Sequence, residues 1–166
     1  MNLEKIPIRY IPKNLSYKDT KLQHNLLEKS KKLYKKHKFY TRKQKIKSFK
    51  SKPSHHVRNA KKIYKIDTIS PSKELSEKTG CSLESLQKIV NKGEGAYYSS
   101  GSRPNQTPQS WGIARLASSI TGQKAAAVDY DILEKGCNKK KLTFKYAKMA
   151  KKKYGFGHGT SKKRWI

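Results

Sequence analysis

Acid is what this chain has least of. Eleven Asp and Glu stand against 40 Lys and Arg in 166 residues, and from Lys135 to Ile166 there is no acid at all. A chain so short of carboxylates cannot neutralise itself, and its field gathers anions. Histidine is missing from the middle, with none between His56 and His158, so no nucleophile–base pair can be argued there. Cysteine is limited to Cys81 and Cys137, and neither stands at metal-ligand spacing from His55 and His56. Neither a catalytic group, a metal site nor a cofactor is therefore expected, and an enzyme is the minority reading. No apolar run approaches the ~20 residues of a membrane span. The opening "MNLEKIPIRYIPKNL" also lacks the apolar block of a signal peptide, so a soluble protein made in the cytosol is expected.

The charge that is present is unevenly spread. Residues 1–80 carry 23 Lys and Arg against 6 acids, residues 81–134 carry 5 against 5, and residues 135–166 carry 12 against none. These nets of +17, zero and +12 make up the formal +29. A run of charge is ordinarily a solvated face, but at this magnitude the field attracts polyanions. Nucleic acid, DNA ahead of RNA, is the first expected partner, with acidic protein and membrane surfaces behind it. The residues expected to hold the anion are Lys31, Lys32, Lys35, Lys36, Arg42, Lys43 and Lys45 in one arm. In the other they are Lys139, Lys140, Lys141, Lys151, Lys152 and Lys153.

Only 34% of the residues are hydrophobic, which supports a small core with basic appendages. Three segments are expected: a lysine-rich N-terminal arm over 1–65 with one or two helices, a charge-neutral helical core over 66–138, and a basic C-terminal helix and tail over 139–166. "IPIRYIPKNL" reads as an extended arm. Ser16 offers an N-cap to a helix reaching about Lys36, with Leu22, Leu26, Leu27, Leu33 and Tyr34 at helical spacing. "SHHVRNAKKIY" fits a short helix with Val57, Ala60 and Tyr64 on one side. Ser70 and Pro71 read as the cap and first residue of a helix that stops at Gly80, and Gly93 reads as the stop of the next. Thr107-Pro108 opens a helix ending at Gly122, "AAAVDYDILEKG" gives another, and a last one places Leu142, Tyr146, Met149 and Ala150 on one stripe before Gly155. The tail "GFGHGTSKKRWI" reads as a flexible end. No strand pattern and no internal repeat is found. The expected class is mainly α.

Gly80 between two short helices also has the grammar of a helix-turn-helix. Its exposed Ser82, Ser85 and Lys88 would face base edges if the element entered a major groove, although an ordinary helical hairpin reads the same way. "GAYYSSGSRPNQTP" resembles a phosphate-holding loop in composition but matches no glycine-rich template. Arg103 either meets a phosphate or hydrogen-bonds loop carbonyls and locks the turn. In the helix after it, Ile113, Leu116, Ala117 and Ile120 form the core stripe, and Trp111, Arg115 and Ser118 lie opposite. Trp111 and Arg115 are spaced to stack. The tryptophan then needs a cover, either a partner or the preceding loop folded back with Tyr97, Tyr98 and Pro104. Cys81 and Cys137 bracket this neutral centre and are either reduced and buried or joined across a ~55-residue loop.

"KGEGAYYSSGSRPNQTPQSWGIARLASSITG", followed by "AVDYDILEKGC", resembles an uncharacterised family of predicted proteins in large nucleocytoplasmic DNA viruses, with looser relatives in phages. The likeness extends upstream through "KTGCS" and "LYKKHKFYTRKQKIKSFKSKPSHH", and so covers most of the chain. It brings no agreed activity, hence no site residues. What it implies is a viral setting and a protein packaged in, or built into, the particle. The leading expectation is a non-enzymatic virion protein, a minor capsid or core component, whose arms hold nucleic acid or acidic virion proteins. It would pass through the host cytoplasm or nucleus before assembly. The alternatives are a helix-turn-helix regulator and an enzyme acting on nucleic acid, with Arg103, Arg115, Tyr97 and Tyr98 around a phosphate.

Overall fold

The computed structural model describes residues 3–157 and 161–166. The "HGT" stretch of the tail lies outside them. Among the described residues the fold is mainly helical, with eight helices and one two-stranded sheet. The chain gathers into two compact units. One comprises Met1–Lys52, Gly95–Pro108 and Gly159–Ile166, and the other Pro53–Glu94 and Gln109–His158. These divisions follow packing and not charge, since lysine-rich and neutral stretches share each unit.

The first unit contains strands β1 (Lys5–Pro7) and β2 (Lys163–Trp165) and helix α1 (Tyr17–Lys35). The strands pair antiparallel, Lys5 opposite Trp165 and Pro7 opposite Lys163. No strand was expected in either place: three residues are too few to show an alternation, and the pairing joins opposite ends of the sequence. The stretch from Ile6 to Leu15 is likewise not a solvated arm, because Ile6, Tyr10, Ile11 and Leu15 are buried with Leu26, Leu27, Ile46 and Tyr97. Helix α1 begins where Ser16 predicts it, the Ser16 Oγ accepting from Asp19 N at 3.1 Å. Its other end is a Schellman turn. His37, at φ 60°, donates to Tyr34 O at 2.9 Å, and Lys38 donates to Leu33 O at 2.9 Å. Gly101 (φ 133°) passes so close to Leu27 and Tyr10 that a Cβ would meet both at 3.0 Å.

The second unit holds α2 (His55–Tyr64), α3 (Lys73–Thr79), α4 (Leu83–Ser99) up to Glu94, and α5 (Pro108–Ile120) from Gln109. It also holds α6 (Lys124–Val128), α7 (Tyr130–Gly136) and α8 (Leu142–Tyr154). Its core runs from Ala60 and Tyr64 through Leu75, Leu86, Ile89, Leu116, Ala117 and Ile120 to Leu133, Phe144 and Ala147. The expected stripe of α5 is buried here except for half-buried Ile113. Helix α3 starts two residues later than the Ser-Pro reading. Ser72, not Ser70, is its cap and accepts from Leu75 N at 3.1 Å.

Gly93 does not stop α4. It lets α5 approach: a Cβ there would lie 2.6 Å from Gly112 Cα, and one on Gly112 would lie 2.7 Å from Val90 O. "AAAVDYDILEKG" makes two helices, α6 and α7, broken at Asp129. In α8 the buried face is Thr143, Phe144, Ala147 and Ala150, while Leu142 and Met149 of the expected stripe are exposed. The buried row is turned around the helix from the expected stripe and shares only Ala150 with it. Cys81 and Cys137 are joined as a disulfide. They sit in an antiparallel bridge closed by Ser82 N donating to Gly136 O at 2.8 Å and Asn138 N to Gly80 O at 2.7 Å.

Candidate nucleic-acid interface

Arg42 is the centre of the first unit. It comes from a stretch with no regular structure and buries its side chain, 8% exposed. Its Nη1 donates to Ser30 Oγ at 2.8 Å and to Tyr97 O at 2.9 Å, and its Nη2 donates to Ser102 Oγ at 2.8 Å. The guanidinium lies 3.7 Å from the centre of the Tyr97 ring, and Arg42 N donates to the Tyr97 hydroxyl at 2.9 Å. These acceptors are neutral, so the cation is held by dipoles and a π face. Loss of hydration lowers the Arg42 pKa, opposed by the neighbouring tyrosines, and burial raises that of Tyr97 against the pull of Arg42. The role foreseen for Arg103 as a lock on the signature loop thus falls to Arg42. Arg103 itself is exposed overall, although partial desolvation of its guanidinium and then the like charge of Arg9 lower its pKa.

The loop's other anchor is Asn105, at φ 62°. Its Oδ1 accepts from Ile46 N at 2.8 Å and its Nδ2 donates to Ile46 O at 3.1 Å. With Ile46 turned inward and fixed, the residues around it line an open groove of about 620 Å³. Its cations are Lys43, Lys45, Lys47 and Lys50 beside the inner Arg42. Gln44, Gln106, hydroxyl groups and Phe49 complete it, and none of the lining residues is an acid. A surface of ammonium groups, amides and hydroxyls with one aromatic ring suits a phosphodiester chain. Lys47, Lys50, Phe49, Asn105 and Gln106 were not among the residues expected from sequence. The available signal was "KQKIKSFK", where lysines recur around Ile46 and Phe49.

The remaining candidates are dispersed. Lys32, Lys35 and Lys36 are exposed at the end of α1, while Lys31 is half-buried and pairs with Glu4 and Glu28, each at 3.2 Å. Glu4, His24 and Glu28 could converge on a metal ion, but the Lys31 ammonium already bridges the two carboxylates. Tyr98 is half-buried beside Tyr97.

In the second unit Lys139, Lys140 and Lys141 are exposed before α8, and Lys151, Lys152 and Lys153 are exposed in its last turn. Lys139 lies over Phe144 at 5.2 Å and Lys151 over Tyr130 at 4.1 Å. Trp111 is half-buried. Arg115 is committed to buried Asp129, with Nε at 3.0 Å from Oδ2 and Nη2 at 2.6 Å from Oδ1, and Ser119 and Lys92 complete that cluster. Ser118, expected opposite the core, is buried, and so is Ser85. A Cβ on Gly136 would overlap Ser85 Oγ, so α7 covers this part of the α4 surface that was expected to face base edges.

The fold and the groove together define a mainly helical protein with a lysine-lined groove. The chain belongs to a family of unknown function, DUF5824, whose profile matches residues 7–135. No curated protein and no solved structure matches it. No helix among the described residues is long and apolar enough to cross a membrane.

Proposed function

We propose that this protein is a non-enzymatic nucleic-acid-binding protein, a basic component of a viral particle, and that the groove beside Arg42 is its principal contact. The single observation carrying the reading is that groove: four lysines line it with no acid among the lining residues, and the carboxylate near Lys47, Asp19, is already bonded to Ser48, on a chain of formal charge +29. Arg42 supports it from beneath, holding the signature loop against the stretch that presents the lysines. The exposed lysines at the end of α8 supply further phosphate contacts. The helix-turn-helix alternative has less support, because Ser85 is buried under Gly136. The virion setting rests on the resemblance of the signature segment alone.

Fluorescence anisotropy with a labelled 20-base-pair duplex tests the binding. Affinity should fall steeply with salt, each neutralised phosphate contributing roughly −0.9 to the log–log slope. Changing Lys43, Lys45, Lys47 and Lys50 together to Gln should remove about 3–4 from that slope. An affinity that does not respond to salt, or a slope untouched by the fourfold change, would overturn the groove as the contact.

A further inference from the structure

The Schellman turn that ends α1 throws the chain back and leaves a phenylalanine in the open. Phe39 is 70% exposed, yet it stands between two other rings in a chain of four aromatics. Its centroid lies 6.1 Å from that of Tyr34, inclined at 53°, and 5.2 Å from that of Tyr98, inclined at 51°. Tyr98 in turn meets Tyr97 edge-on at 5.2 Å, and Tyr97 carries Arg42 on its face. The rings are thus held from inside the unit while the outermost face meets water. Packing against Tyr34 alone would bury a C-terminal hydrophobic contact, the usual use of such a residue. Here most of the phenylalanine surface stays uncovered.

Its surroundings are cationic. Lys32, Lys35, Lys36 and Lys38 are exposed in the same segment, and from Lys29 to Ile66 the chain has 16 Lys and Arg and no acid. The nearest preceding carboxylate, Glu28, is paired with Lys31. Phenylalanine has no hydrogen-bonding group, so it can select only for a flat apolar face. Lysines can select only for negative charge. A ligand offering both in alternation is an unpaired nucleotide strand, whose bases are free to stack while its phosphates meet ammonium groups. A duplex keeps its base faces inside its own stack.

We infer that Phe39, backed by Tyr34 and Tyr98, is a base-stacking platform, and that the preferred ligand is single-stranded nucleic acid. This rests on the groove as the electrostatic contact and adds the form of the strand to it. The platform gives little readout of base identity, since every base has a π face.

The test uses the full chain with fluorescein-labelled dT15 and rU15, a 15-base-pair duplex, heparin and poly-glutamate. Phe39→Ala should weaken dT15 or rU15 binding roughly 5- to 150-fold. Duplex and heparin binding should stay within about twofold. Phe39→Trp should keep the affinity and show quenching of the new indole on strand addition. The tighter of dT15 and rU15 identifies the sugar. Phe39 is exposed, so both variants should melt like the parent. Salt-sensitive binding of all nucleic acids with no effect of Phe39→Ala overturns the platform and leaves the groove standing. No binding of any strand or duplex overturns both. An equal loss on poly-glutamate makes the ring a contact for acidic protein and overturns the inference.

Discussion

Replacing Arg42 with alanine separates a structural cation from a ligand-binding one. The side chain donates three hydrogen bonds inside the protein, to Ser30 Oγ, Tyr97 O and Ser102 Oγ, and stacks on Tyr97. Two acceptors survive its loss in part. Ser30 Oγ still donates to Tyr98 O at 3.2 Å, and Ser102 Oγ to Arg103 O at 2.8 Å. The Tyr97 carbonyl loses this donor, a cost of roughly 1–3 kcal/mol if it is left unsatisfied. The ring loses a buried cation–π contact worth about 2 kcal/mol. The void left by the side chain adds roughly 1 kcal/mol or more, while removal of a poorly hydrated charge offsets part of the sum. The net should be about 3 kcal/mol, or a melting point lower by roughly 6–12 °C for a chain of this size. Arg42→Lys should recover less than half of it, since one ammonium cannot reproduce the planar fork. Circular dichroism melts report the stability, and hydrogen exchange at the Arg42 and Ile46 amides reports whether the loop has come loose. An Arg42→Ala protein that melts normally and keeps those amides protected, but no longer binds a duplex, would refute the structural role.

Two further outcomes bear on the second unit. Tyr64 is buried, its hydroxyl joined to Thr143 Oγ1 at 2.6 Å and to Ile120 O, and burial pushes its pKa up to about 12. Its contribution is complete below the unfolded value near 10 and is lost as pH rises through about 12, roughly 2–3 kcal/mol in all. Urea melts at pH 9 and pH 12 should therefore converge in Tyr64→Phe relative to the parent; an unchanged difference would refute this. Reducing Cys81–Cys137, which are 56 residues apart, should cost about 4 kcal/mol by the chain-entropy estimate. Equal urea midpoints with and without reductant would show that the reduced chain keeps the same restriction.

Local signals were legible in the sequence and distant ones were not. Ser16 announced α1, Thr107-Pro108 announced α5, and Gly155 marked the end of α8, because each cap acts within one turn of the residue that encodes it. Arg42 and Tyr97 are 55 positions apart, and no spacing rule links an arginine in a lysine run to a tyrosine in a neutral stretch. Gly93 misled for a related reason. Glycine ends helices and also lets helices touch, and only the position of Gly112 distinguishes the two. The cationic site was half legible: the excess of lysine was plain, but the residues sharing one groove depend on the Asn105–Ile46 hydrogen bonds.

The disulfide also divides the charge of the molecule. Between Cys81 and Cys137 lie six Lys and Arg and five acids, so 34 of the 40 cations fall outside the ring. Unfolded but oxidised, the chain is a nearly neutral loop bearing two polycationic tails. Pulled from its ends it is shorter by roughly 190 Å of contour, at about 3.4 Å for each residue of the ring. The tails repel and extend while the loop has no such reason to swell. A polyanion added to this unfolded form should still meet both tails, in a complex that dissolves in salt. On the proposed reading, attraction to a polyanion would therefore reside in the covalent chain, whereas a difference between one strand and two would require the folded surface.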